Sequence, residues 1–395
     1  MSYDENQHTI NGEQNVQPRE KAIYRHPVPD MSTLRSAIPA HCFTPSTAKS
    51  VGYLLRDVAL AASLAWLAFR FVPMLPSPIL RGGAWIIYGF TQGLVGTGLW
   101  ILAHEAGHGA FSASDRFNDL VGWVVHSILL VPYFSWKFSH QRHHMFTGHM
   151  DKDMVFVPET RVDHFDRLRA AFVDPDQWED IPVIQFIRLL LHQLLAWPLY
   201  LCFNISAGKD SLQKPSKSRL RQSHFDAYSA VFRHSEALYI ILSDIGIGLT
   251  IAVLCIFSAK HGMSNLMLLY GQPYLWVHHW LIAITYLHHT HEDVPHYTAN
   301  GWTFTKGALA TIDRDFGFIG RVFFHGIIDR HVVHHLFPRI PFYHCDEATE
   351  SIKPLLGDLY RQDNRSFLGQ LWNTFKQCKY VEEDAEDTGM MRWAR

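Results

Sequence analysis

Long apolar runs alternate with polar, basic stretches along most of the chain. Leu54 to Leu75 is apolar after Arg56 and Asp57 and holds Arg70 near its end. Ala84 to Ala103 (AWIIYGFTQGLVGTGLWILA) carries no charge, and Leu238–Ala259 and Ser264–Leu287 form a second such pair. About 20 apolar residues suffice to cross a bilayer as a helix. The pattern therefore predicts an all-α integral membrane protein with four transmembrane helices in two hairpins, the first closed by the Pro-rich turn MLPSPIL. Two further segments are ambiguous. Asn118–Pro132 is short and contains Asp119 and His126, and Phe186–Ile205 contains Arg188, His192 and Pro198.

Three histidine runs lie in the polar parts: His104-Glu105-Ala106-Gly107-His108, His140-Gln141-Arg142-His143-His144 and His331-Val332-Val333-His334-His335. Histidines three and four residues apart share a helix face, which lets them approach one metal. If the runs share a site, the segment between His104 and His140 cannot cross the membrane, and an even number of crossings separates His140 from His331. The second hairpin already supplies two. Asn118–Pro132 and Phe186–Ile205 are therefore expected in the interface or against protein. The loop from Lys137 to Arg233 is rich in Lys and Arg, including Arg161, Arg167, Arg169, Lys209, Lys214, Lys217, Arg219 and Arg221, whereas the turn between the last two spans offers only Lys260. The positive-inside rule then puts all three runs on the cytosolic face, under a cytosolic helical cap.

The ends of the chain are polar. Residues 1–49, with Arg19, Lys21, Arg25 and Arg35, lack a signal-peptide core and read as a cytosolic tail with a short interfacial helix at Thr33–Phe43. Residues 50–380 read as one membrane domain, and 381–395 as an acidic, frayed C-terminal tail. Met391–Arg395 also fits an aromatic retrieval signal.

Composition narrows the chemistry. With 395 residues and a net charge of −2, the chain gives no electrostatic case for nucleic acid. The five cysteines (42, 202, 255, 345, 378) form no CxxC pair, which argues against a disulfide framework or a thiolate zinc site. The 26 histidines are the anomaly. Eight of them in the runs exceed the roughly four ligands of one zinc. Two metals at five or six coordination would use them, and all-nitrogen ligation suits Fe, Cu, Zn or Ni. Redox-active iron or copper best fits an open site beside a lipid-facing chamber. A ninth donor is expected from Tyr286–His291, and His289 is preferred. Outer partners for the ligands are sought in Glu105, Asp153, Asp293 and Asp329. His278, His279, His288, His291 and His296 are read as carrying no metal, as are His26, His41, His126, His164, His224 and His234.

The three runs, in this order, resemble the histidine boxes of the membrane fatty acid desaturase family. IPAHCF at 38–43, GHMDKDMVFVP at 148–158, YLHHTHEDVPHY at 286–297 and HHLFPRIPFYHCDEAT at 334–349 resemble its oleate Δ12-desaturase branch in fungi and plants. The resemblance covers roughly residues 35–380. It implies a diiron centre (two Fe) and O2 as co-substrate. It also implies electrons from a separate cytochrome b5 and its reductase, and a multi-pass protein of the endoplasmic reticulum membrane acting on an acyl lipid. A homodimer is one assembly it allows. His104, His108, His140, His143, His144, His331, His334 and His335 would be both ligands and catalytic residues, with His289 a further ligand. Ala106 stands where Δ12 members usually have Cys, and Arg330 where a small residue is usual. Related members hydroxylate, epoxidise or form triple bonds, or act on secondary-metabolite chains. The rival reading is a membrane zinc protease, because His104–His108 is a literal H-E-x-x-H; a histidine-rich metal transporter is a non-enzymatic alternative.

Overall fold

The structure is a computed structural model that describes residues 27–170, 181–216 and 218–394. The expectations for Arg19, Lys21, Arg25, His26, Lys217 and Arg395 lie outside the described residues. The helices are α1 (Met31–Ala37), α2 (Thr47–Phe71), α3 (Pro78–His108), α4 (Asp115–Ile128), α5 (Tyr133–Phe146), α6 (Arg161–Ala170), α7 (Pro182–Phe203), α8 (Ala237–His261), α9 (Met263–Leu266), α10 (Gln272–His289), α11 (Phe304–Ala308), α12 (Gly317–Val322), α13 (His331–Leu336), α14 (Cys345–Leu356) and α15 (Phe367–Gln377).

Local chemistry fixes the ends of the long helices. Ser46 caps α2 by accepting from the Lys49 N–H, and Ser77 caps α3, with Pro78 at its first position. Gly109 ends α3 in the left-handed region, at φ 73°, where a Cβ would add strain. α2 and α3 are antiparallel: Gln92 donates to the Ala61 carbonyl, and Ala68 clusters with Trp85 and Tyr88. α8 returns alongside α2, with Phe69 against Phe257 and His261 at its far end. α10 then runs parallel to α3. A Cβ on Gly93 would lie 2.2 Å from that of Trp276, so only glycine permits this approach. The two hairpins expected from the apolar pattern are thus present, and the C-terminal ends of α3 and α10 emerge side by side.

Among the described residues, four helical stretches are long and apolar enough to cross a membrane: Thr47–Met74, Pro78–His108, Pro182–Phe203 and His234–His261. Two differences from the sequence reading stand out. The expected span Ser264–Leu287 is not among them: it is continuously helical through a π turn at Met267–Gly271, but Gln272, His278 and His279, with His288 and His289 at its end, leave it less apolar than the other four. Conversely, α7 has the length of a span. Its partners nevertheless sit at the histidine end of the bundle: Leu189 clusters with Ala283, Tyr286 and Leu287, Trp197 meets Trp100, and Tyr200 donates to Ser139. It lies across that end against protein. α4 and α5 meet at 110°, so this pair folds back along the same end; Trp123 donates to the Leu242 carbonyl and Phe134 N–H to Ser243.

The cap is built on these ends. Leu34, Ile38 and Cys42 bury themselves with Val332, Val333, Leu336, Ala348 and Ile352, so one face of this segment packs on protein. The expected frayed tail is also ordered. β4 (Val381–Glu383) and β5 (Met390–Trp393) form a hairpin, and β5 pairs with β1 (His296–Tyr297), giving the strand order β1-β5-β4. A second short sheet pairs β2 (Asp313–Arg314) with β3 (Gln362–Asp363) in parallel. Here buried Arg314 reaches Asp363 at 3.0 Å, the Leu287 carbonyl at 2.8 Å and Gln370, locking α15 to the end of α10.

Candidate metal centre

Three helices and one helix end carry the histidines inward. α3 places His104 and His108 one turn apart, α5 places His140, His143 and His144, and α13 places His331, His334 and His335. One ring nitrogen from each of His104, His108, His140, His144 and His334 lies within 4.8 Å of the others; His143, His289 and His335 form a second such group. His331 joins the second group through His289, with Nε2 atoms 3.0 Å apart. The two groups adjoin, since the rings of His144 and His335 stack at 4.1 Å. All nine histidines singled out in the sequence therefore converge.

Hydrogen bonding orients several of the rings. Asp153 Oδ1 accepts from His143 Nδ1 at 2.6 Å, which turns His143 Nε2 toward His289 Nε2 at 3.3 Å. Asp153 is itself held by the Gly148 N–H at 2.8 Å. Thr147 donates its only hydroxyl proton to the His143 carbonyl at 2.7 Å, so at 3.0 Å from His335 Nδ1 it must accept, freeing His335 Nε2 for the centre. Thr147 carried no signal in the sequence beyond following the second box. Of the four carboxylates proposed as outer partners, Asp153 takes that role. Glu105 lies 3.3 Å from His104 Nδ1 and accepts the Phe342 N–H at 3.1 Å. Asp329 accepts the Phe316 N–H, and Asp293 lies 3.8 Å from His291, away from the cluster.

The donor set fits metal. His140, His144, His331, His334 and His335 are held well below the ordinary imidazole pKa, first by burial and then by neighbouring imidazoles. They are neutral at pH 7, with lone pairs available. Both nitrogens of His334 and Nε2 of His335 are buried with no hydrogen-bond partner. Buried lone pairs without a donor, such as those of His334 and His335, cost free energy unless a cation gathers them. Two histidines close to His289 in sequence are occupied elsewhere: His288 bonds the Ile284 and Ile328 carbonyls, both at 2.6 Å, and His291 contacts Arg365 and Asp363.

An apolar cavity of about 200 Å³ opens beside the centre. His104, His140, His143, His289, His331 and His334 form one wall. Trp100, Trp136, Trp197, Leu281, Ile282 and Ile328 form much of the rest. The sequence did not reveal that α7 supplies His192, Trp197 and Tyr200 to it. Such a cavity suits a hydrocarbon chain, whose methylenes gain about 0.8 kcal/mol each on burial.

The comparisons agree with this chemistry. The family model described as Fatty acid desaturase matches residues 82–366. The chain is 46% identical over 378 residues to the oleate hydroxylase FAH12 of Claviceps purpurea, covering 91% of this chain and 79% of that protein. It is 41% identical over 372 residues to the Δ(12)-acyl-lipid-desaturase of Punica granatum, covering 94% and 92%. It is 39% identical over 375 residues to the omega-6 fatty acid desaturase, endoplasmic reticulum isozyme 2, of Glycine max, covering 95% and 93%.

Proposed function

The chain belongs to the fatty acid desaturase family, and from that premise we propose that it is an O2-dependent Δ12 desaturase converting an oleoyl lipid to a linoleoyl lipid. The observation that carries this reading is the convergence of nine imidazoles, six of which line an apolar cavity. His104, His108, His140, His144 and His334 would hold one iron, and His143, His289, His331 and His335 the other. Bound iron supplies activation of O2 and the oxidising power that an unactivated methylene demands.

The protein's own part is positioning. The apolar walls bind the chain, exclude water and select which carbon faces the imidazole wall, and small errors in that placement divert the outcome. Asp153 and Thr147 hold the Nδ1 protons of His143 and His335, keeping their Nε2 lone pairs on the centre. Domain limits at 50 and 380, an endoplasmic reticulum location with the histidines cytosolic, and a cytochrome b5 donor with its reductase belong to the same proposal, as does a homodimer as its assembly. The basic loop is less free to attract such a donor than its composition implied, because Arg161, Arg167, Arg169 and Lys209 pair with Glu382, Glu159, Asp166 and Asp151.

Hydroxylation of the same carbon is the second reading, favoured by the 46% identity to an oleate hydroxylase. The protease reading loses its base: Glu105 is buried behind His104 and its carboxylate is engaged by Phe342. Expression in a yeast that makes oleate but no linoleate, followed by lipid chromatography and mass spectrometry, decides between the first two. Linoleate supports the desaturase; a hydroxy acid transfers the protein to the hydroxylase; unchanged oleate removes both.

A further inference from the structure

A second group of ligating side chains lies outside the histidine centre, on the far side of α13. His41 and Cys42 sit on a short 3-10 turn, Ala40–Phe43, and His344 and Glu347 at the start of α14. One donor atom from each of the four lies within 4.8 Å of the others. His41 Nε2 is 2.8 Å from Glu347 Oε2 and 3.7 Å from Cys42 Sγ, and the two imidazole rings meet edge to face at 5.3 Å. Two of the motifs noted in the sequence, IPAHCF and the stretch around FYHCDEAT, thus meet across 306 positions of chain.

We propose that His41, Cys42, His344 and Glu347 form a binding site for one Zn2+, distinct from the nine-histidine centre. The donor set is the reason. Imidazole, thiolate and carboxylate are zinc's ligands, and four of them make a closed tetrahedral site. One thiolate and one carboxylate leave the loaded site with no net charge, which suits its half-buried position. The spacing is nearly right already. Tetrahedral bonds of the usual lengths separate N from O by roughly 3.3 Å and N from S by roughly 3.6 Å. The present separations of 2.8 and 3.7 Å need shifts of only a few tenths of an ångström. Access is available, because the side chains of His41 and Glu347 are 58% and 49% exposed, while Cys42 is fully buried behind them. On binding, the Cys42 thiol gives up its proton to solvent as the Zn–S bond forms, with no change of oxidation state.

The consequence is mechanical. Cys42 packs in the same apolar cluster as Val332, Val333 and Leu336 of α13. A metal here would pin the N-terminal segment against the helix that carries the third histidine run. From sequence alone His41 is expected to carry no metal; His344 and Glu347 stand about 300 residues further along the chain.

The test uses the full-length, iron-loaded protein in detergent, titrated with ZnCl2. X-ray absorption at the zinc edge is the discriminating readout, because the histidine centre contains no sulfur. The expected result is one Zn–S distance near ~2.3 Å, lost in Cys42→Ser. Since Cys42 is buried, His41→Ala and Glu347→Gln provide surface variants, each expected to weaken zinc binding at least tenfold. His334→Ala should disturb iron content and leave the sulfur-ligated zinc in place, which separates this site from the assignment of the histidine centre. Zinc held by nitrogen and oxygen only, a sulfur signal that survives Cys42→Ser, or unchanged affinity in both surface variants would overturn the proposal.

Discussion

Asp153→Asn is the sharpest test of how the histidine centre is held. In the native chain both carboxylate oxygens accept: Oδ1 from His143 Nδ1 at 2.6 Å and Oδ2 from the Gly148 N–H at 2.8 Å. An amide can accept at only one of these positions, and its NH2 must then face a second donor. If the amide oxygen stays on Gly148, His143 loses its acceptor and its ring is free to turn or change tautomer. Leaving a buried donor unmatched costs about 1–3 kcal/mol. Loss of an outer partner to a metal-bound histidine typically weakens metal binding 10- to 100-fold, equivalent to about 1.4–2.7 kcal/mol. The two routes agree on the size of the effect. Iron per chain, measured by mass spectrometry across a series of chelator concentrations, should show the midpoint shift by that factor, and oleate conversion should fall with it. Asp293→Asn is the matched control; its carboxylate lies beside His291, away from the cluster, and iron retention should stay within about twofold of the native protein. Native iron retention and turnover in Asp153→Asn would refute the claim that this carboxylate sets the His143 ring.

Other outcomes follow from the same geometry. His143→Ala or His334→Ala should give a membrane-inserted protein that forms no product, and wild-type conversion of oleate by either would overturn the ligand assignment. His289→Ala should reduce iron toward one per chain, because it empties the centre of the three-histidine group; two irons retained would exclude it as a ligand. Gly93→Ala drives a methyl into Trp276, an overpacking worth about 1–3 kcal/mol, and should lower the thermal midpoint in detergent. Asp363 is driven upward by burial, but its bonds to Arg365 and the charge of Arg314 outweigh this and hold it near about 2. Its contribution is therefore complete above the unfolded value near 4 and is lost as pH falls toward 2. Asp363→Asn should flatten that acid limb and, by leaving Arg314 buried without its carboxylate, destabilise by on the order of 3–5 kcal/mol; an unchanged acid melt would contradict this.

Much of the centre was legible because its signals are local. The i, i+3 and i+4 spacing within each box sets a helix face, and counting crossings brings the faces to one side. His289 was legible for the same reason, standing where α10 leaves the bundle. The remainder depends on contacts that spacing does not encode. Counting crossings set α7, which has the composition of a span, in the interface or against protein, but its particular neighbours Trp100, Ser139 and Tyr286 are not encoded in spacing. Asp153, Asp293 and Asp329 looked equivalent in sequence because each follows or precedes a histidine run closely. Which one meets an imidazole depends on a turn held by Gly148. The C-terminal strands read as a frayed tail because two- to four-residue strands show no alternation of their own; β5 pairs with β1, Tyr297 opposite Met390 and His296 opposite Met391, far back along the chain.

That distant pairing has a consequence for biosynthesis. β5 is the middle strand of its sheet, so β1 and β4 have no common edge until residues 390–393 arrive. β1 follows closely on the helix end that presents His289. A nonsense or frameshift lesion that removes only the final few residues would spare every box and every apolar run. Among the described residues it would yet leave β1 held only through Tyr297 to Gly148 and Met150, and β4 only through Val381 to Glu159. Such an allele would look intact by motif while losing the strand that joins the two ends of the cap.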